Sequence, residues 1–138
     1  KEHAKVLFKL LEGGEAHISA SFPAGVIAGT SANLQESANG EKHEYSEMYP
    51  SFAEVAKKEG FSEIAETFLN IARAEMGHEK RFLTLKKNID EGAVFKRGDK
   101  VVWRCRNCGY MHEGNEAPSE CPACKHEQAY FEVFGEVY

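Results

Sequence analysis

Residues 62–91 read SEIAETFLNIARAEMGHEKRFLTLKKNIDE. Ile64, Phe68, Ile71, Glu75, His78, Phe82, Leu85 and Ile89 recur along this stretch at alternating spacings of four and three. That is the seam of a helix packed in a bundle. The pattern predicts one helix with Glu63 to Glu91 as its body and Ser62 as its cap. The middle of the seam is occupied by Glu75 and His78, where a bundle helix ordinarily carries leucine.

Working outward, a second helix is expected from Thr30 or Ser31 to Gly60, kinked or locally broken at Pro50. Leu34, Ala38, Glu41, Tyr45, Met48, Phe52 and Val55 form its seam, again with a glutamate at the centre. Glu44 follows Glu41 by three residues and so shares its face. A first helix runs from Lys1 to Glu12, stopped by Gly13 and Gly14, with His3, Leu7 and Leu10 on one face. Residues 15–29, with Pro23, Gly25 and Gly29, read as a long connection. Three helices thus each aim ionisable groups at a common core.

A carboxylate in a bundle core must be protonated, paired or bound to a cation. The alternative is that the seams are rotated and the glutamates face water. Glutamate and histidine replacing apolar residues at matching levels in separate helices favour a metal site. In Glu75-x-x-His78 an oxygen and a nitrogen ligand share one helix face and converge on one metal, as in carboxylate-bridged dinuclear centres. Carboxylates with imidazole suit iron or manganese. A four-helix dinuclear site takes one glutamate from each of two helices and a Glu-x-x-His from each of the other two. Here one such pair is complete, His3 stands without the glutamate three positions ahead of it, and a fourth helix is lacking. The expectation is that a preceding segment or a second chain supplies them.

The chain has 138 residues, 42% apolar and 28% charged, with a net charge of -5. The acidic balance argues against nucleic acid as a partner. A run of 18 apolar residues, which a membrane span needs, does not occur. Composition changes at Gly92, giving a helical domain over 1–91 and a second domain over 92–138. All four cysteines lie in the latter, as Cys105-x-x-Cys108 and Cys121-x-x-Cys124. Two such turns can bring four thiolates into a tetrahedron around zinc or a single iron. A pair of disulfides is the competing reading, and spacing does not separate iron from zinc. Trp103, Tyr110, Tyr130, Phe131 and Phe134 are expected to form a small aromatic core that the metal staples. His17, His43, His112 and His126 read as surface or turn residues, and Glu47 and Glu79 as solvated charges or neighbours of the site.

Glu41-x-x-Glu44, Met48-Tyr49-Pro50, Glu75-x-x-His78, Cys105-Arg-Asn-Cys108-Gly109-Tyr110 and Cys121-Pro122-x-Cys124 together resemble rubrerythrin. The resemblance implies a mainly α fold: a ferritin-like four-helix bundle, incomplete in this chain, followed by a small rubredoxin-like β domain. It implies a cytoplasmic non-haem peroxidase that reduces hydrogen peroxide to water in oxidative-stress defence. By the same resemblance Glu41, Glu44, Glu75 and His78 ligate a di-iron centre. His3 ligates the iron that moves away from Glu44 on reduction, and Tyr49 hydrogen-bonds a ligand carboxylate. Cys105, Cys108, Cys121 and Cys124 hold one iron, with zinc as the alternative. The resemblance further implies a homodimer, with electrons entering through the cysteine-bound iron from a donor such as rubredoxin and its NAD(P)H-dependent reductase. The same bundle also serves ferroxidase or iron-handling roles, and a helical interaction protein with a structural zinc ribbon is the non-enzymatic alternative.

Overall fold

The structure is a computed structural model that describes all residues except Glu12, Ala16 and residues 136–138. The expected end of the first helix at Glu12 therefore lies outside the described residues, as do the last three residues of the second domain. The helical order within the first helix is shorter than the sequence pattern predicts, with α1 spanning Glu2–Phe8.

The second helical rod starts at Thr30 behind an extended Gly29 and has three parts. Helix α2 spans Thr30–His43, a π-helical turn spans Glu44–Met48, and α3 spans Tyr49–Lys58. The irregularity thus sits ahead of Pro50 and not at it. Proline has no N–H to continue an i→i−4 ladder, so the wide turn absorbs the break and Pro50 falls in the first turn of α3, where a missing donor costs nothing. Gly60, at φ +89°, ends the rod with the paired bonds of a Schellman cap: Phe61 N–H to the Ala56 carbonyl at 2.8 Å and Gly60 N–H to that of Lys57 at 3.2 Å. Helix α4 spans Ser62–Asp90, so Ser62 lies inside it and is not its cap. Gly92 at φ +63° repeats the Schellman geometry, with Ala93 N–H bonded to the Asn88 carbonyl at 2.7 Å.

The chain divides into two compact units, Lys1–Lys86 and Lys87–Tyr138. The first is a partial helical bundle. Its core is Tyr49, Ile71 and Ala72, packed by Leu7, Tyr45, Met48 and Phe68, and continued by Ala53, Ala56 and Ala65. Phe68 binds the two patches together, its ring centroid 6.1 Å from Tyr49 and 5.6 Å from Phe52. The described residues cover only the centre of each seam. Val55 at the end of one and Leu85 near the end of the other are 50% and 46% exposed, because three rods leave one flank of a bundle open.

The second unit is a three-stranded antiparallel sheet of order β2-β1-β3, where β1 is Lys96–Cys105, β2 Met111–Glu116 and β3 Phe131–Val133. Trp103 pairs with His112 on one side and Val133 on the other, and its indole N–H donates to the Gly114 carbonyl at 3.0 Å. Trp103, Cys105, Ala117, Cys121 and Phe131 are the buried core, with Phe95, Val101, Tyr110 and Cys124 against it. Tyr130 does not join that core, contrary to the sequence expectation. It is 41% exposed and sits edge-on to His126 at 4.4 Å. Residues 128–130 form a 3-10 turn that swings it outward before β3 begins. Phe134 is half-buried under the Arg104 guanidinium, 5.1 Å from its ring. Among the described residues no helix is long and apolar enough to cross a membrane.

Candidate metal centres

Glu75 is the buried charged residue of the helical unit, 2% exposed among the described residues. Its place between Ile71 and His78 on α4 fixes it in the middle of the seam. The Glu75 carboxylate is bracketed by imidazoles on both sides: His3 Nδ1 lies 2.8 Å from Oε1, and His78 Nδ1 lies 2.5 Å from Oε2. His78 Nδ1 also faces Glu41 Oε2 at 3.4 Å, and the rings of His3 and His78 lie roughly parallel, 6.1 Å apart. Helices α1, α2 and α4 each deliver at least one of these groups, so the sequence spacing of three on α4 becomes a three-dimensional cluster.

Glu41, Glu75 and His78 each present a ligand atom within 4.8 Å of the others. Glu44 stands outside this close set but within its field. Burial raises the Glu44 carboxyl above its ordinary range, and the Glu75 charge adds to that while His3, His43 and His78 oppose it. Glu41 is likewise raised by burial first and then by Glu75. Tyr49 is buried beneath the group, its phenol raised by burial and then by Glu44, Glu75 and Glu41 in turn. Its hydroxyl makes no hydrogen bond to these carboxylates among the described residues. One buried and two partly buried carboxylates, with imidazoles beside them, are what a bound cation would stabilise. The oxygen and nitrogen donor set fits iron or manganese.

The sequence reading puts Tyr45 in the seam and Glu79 among solvated charges or neighbours of the site, but it does not pair them. Tyr45 follows Glu44, Glu79 follows His78, and the Tyr45 hydroxyl donates to Glu79 Oε2 at 3.0 Å. Their positions, each one residue beyond a candidate ligand, carry the signal, but seam spacing alone does not say which side chains meet across the rods. His43 faces Glu47 at 3.4 Å on the exposed side of α2, away from the cluster.

The four cysteines are free and gathered. Cys105 Sγ lies 3.7 Å from Cys124 Sγ, and Cys108 Sγ the same distance from Cys121 Sγ. A disulfide needs about 2.0 Å. The observed separation matches the edge of a tetrahedron with metal–sulfur bonds of about 2.3 Å, which is roughly 3.8 Å. Two equivalent turns build the group. Cys105 N–H bonds to the Tyr110 carbonyl and Gly109 N–H returns to Cys105, while Cys121 N–H bonds to His126 and Lys125 N–H returns to Cys121. Gly109 and Lys125 occupy the same left-handed position, φ +81° and +63°. Cys105 and Cys121 are sealed in the core, whereas Cys108 is exposed and Cys124 partly so. The His126 backbone N–H pulls the Cys124 thiol down to about 6 against burial. The Tyr110 amide favours the Cys108 thiolate too, but Cys124 and burial push that thiol up to about 12. The group is a candidate four-thiolate metal site.

Comparison with known proteins matches both units. The family model "Rubrerythrin" matches residues 1–86, and "Rubrerythrin, rubredoxin-like domain" matches residues 103–132. The chain is 62% identical over 135 residues to a rubrerythrin of Nitratidesulfovibrio vulgaris, covering 98% of this chain and 71% of that one. It is 52% identical to a rubrerythrin of Porphyromonas gingivalis, covering 96% of this chain and 66% of the relative. The solved structure titled "Partially Reduced State of Nigerythrin" superposes with a TM-score of 0.51 at 30% identity, over 96% of this chain and 62% of that one. The chain therefore spans about two-thirds of the length of such relatives. The helical cluster, the four-cysteine group and these matches together place the chain in the rubrerythrin family.

Proposed function

We propose that the protein is a non-haem di-iron peroxidase that reduces hydrogen peroxide to water. The observation that carries the reading is Glu75, buried in the bundle and bracketed by His3 and His78 with Glu41 against His78. Glu41, Glu44, Glu75, His78 and His3 would hold the irons. Iron held by these residues would supply two reducing equivalents and Lewis acidity for peroxide reduction. The chain's own residues set the conditions for that chemistry. Burial keeps bulk water from the Glu75 carboxylate. Glu44, beside but outside the close set, has a carboxyl oxygen able to take or give a proton as the charge beside it changes. Tyr49, buried below, offers a hydroxyl as a proton donor on the core side.

The four-cysteine site is read as holding iron and passing electrons inward, with the exposed Cys108 as its outward edge. Its donor would be a small redox protein of the rubredoxin type with an NAD(P)H-dependent reductase. A homodimer in the cytoplasm completes the proposal. The test is peroxide consumption by the iron-loaded chain under anaerobic reductant. Glu75→Ala should lower turnover at least a hundredfold and leave the absorption of the cysteine-bound iron unchanged. Unaltered turnover in that variant overturns the reading, and oxidation of ferrous ion by dioxygen in preference to peroxide would move the assignment to a ferroxidase.

A further inference from the structure

The immediate successors of two site residues meet across the bundle. Tyr45, next to Glu44 in the π turn, donates its hydroxyl hydrogen to Glu79 Oε2, next to His78 on α4, at 3.0 Å. Both residues are partly shielded from water. The Tyr45 ring packs against the Tyr49, Ile71 and Ala72 core, so the phenol is anchored at both ends. Among the described residues this is the side-chain hydrogen bond that ties the π turn to α4; the neighbouring link, Glu41 to His78, starts from the regular helix before it.

A π turn carries one more residue per hydrogen-bonded ring than the α-helix, and its side chains take their direction from whatever holds the turn laterally. Glu44 opens that turn, and its side chain has no hydrogen bond or close ion pair among the described residues. Its direction is inherited from the backbone that Tyr45 fixes. We propose that Tyr45 and Glu79 are positioning residues, locking the π turn to α4 and so holding Glu44 at the edge of the Glu41, Glu75 and His78 cluster. The proposal rests on reading that cluster as a metal centre.

Three variants of the full chain test it: Tyr45→Phe, Glu79→Ala and Glu79→Gln. Glutamine keeps a carbonyl oxygen to accept the Tyr45 hydrogen, so it separates the bond from the charge. Amide hydrogen exchange over residues 44–48 should rise about tenfold in Tyr45→Phe and in Glu79→Ala and stay near wild type in Glu79→Gln. With the cysteine site filled by zinc, cobalt(II) affinity at the helical cluster should fall about tenfold in the first two and hold in the third. Unchanged exchange in Tyr45→Phe overturns the lock. Equal loss of cobalt affinity in Glu79→Gln and Glu79→Ala also overturns it, in favour of a charge effect on His78. Should the wild-type chain bind no cobalt at the cluster, the metal reading fails, and the exchange data still decide whether the bond fixes the turn.

Discussion

At the scale of single residues, the chemistry follows from where desolvation falls. Glu75 loses its water on α4 and recovers polar partners from His3 and His78, with Glu41 beside them. Its burial was legible because the seam spacing fixes which residues of α4 face inward whatever their type. The Tyr45–Glu79 bond was not legible, since it depends on how far the rods are rotated, and the π turn sets that rotation. The cysteine unit offers a clean residue-level test. Lys125 holds the left-handed conformation that Gly109 holds in the companion turn, and a side chain there strains the backbone. Its ion pair with Glu120, at 3.3 Å on the surface, offsets little of that. Lys125→Gly is therefore expected to stabilise the metal-loaded unit by ~0.5–1 kcal/mol. A chemical-denaturation midpoint that moves down instead would show that the pair outweighs the strain.

At the scale of elements, two glycines with opposite duties show how the helices are delimited. Gly60 ends α3 at φ +89° and Gly77 lies within the right-handed body of α4, and at neither position would an added Cβ meet another atom within 4 Å. Sterics therefore drop out and only backbone preference remains. Gly60→Ala should destabilise the helical unit by ~1 kcal/mol or more, and Gly77→Ala should stabilise it by ~0.5–1 kcal/mol. Thermal midpoints followed by helical circular dichroism would read both, and the signs must differ. The Gly60 and Gly92 stops and the length of α4 were readable from sequence because caps are local. The division of the second rod was readable only in part. Pro50 announces a break, but a proline shifts the fault to wherever the preceding turn can widen, here Glu44–Met48.

At the scale of the whole molecule, the two units have separate cores and differ in what holds them. The helical unit buries Tyr49, Ile71, Ala72 and three alanines of the α3–α4 contact, all without a cysteine. Among the described residues the sheet unit buries five in its core, and two of them, Cys105 and Cys121, are candidate metal ligands. A unit as small as residues 87–138 buries little apolar surface, so a metal held by the four cysteines would add its binding energy to folding. Removing that metal, by a strong chelator or by Cys121→Ser, is expected to unfold the sheet. Trp103 reports the event directly, since its indole is 1% exposed in the folded sheet and enters water on unfolding. Its fluorescence maximum should shift to the red while the helical dichroism keeps most of its amplitude. Simultaneous loss of both signals would mean that the helices depend on the sheet, and an unshifted tryptophan would mean that the aromatic core suffices without the metal.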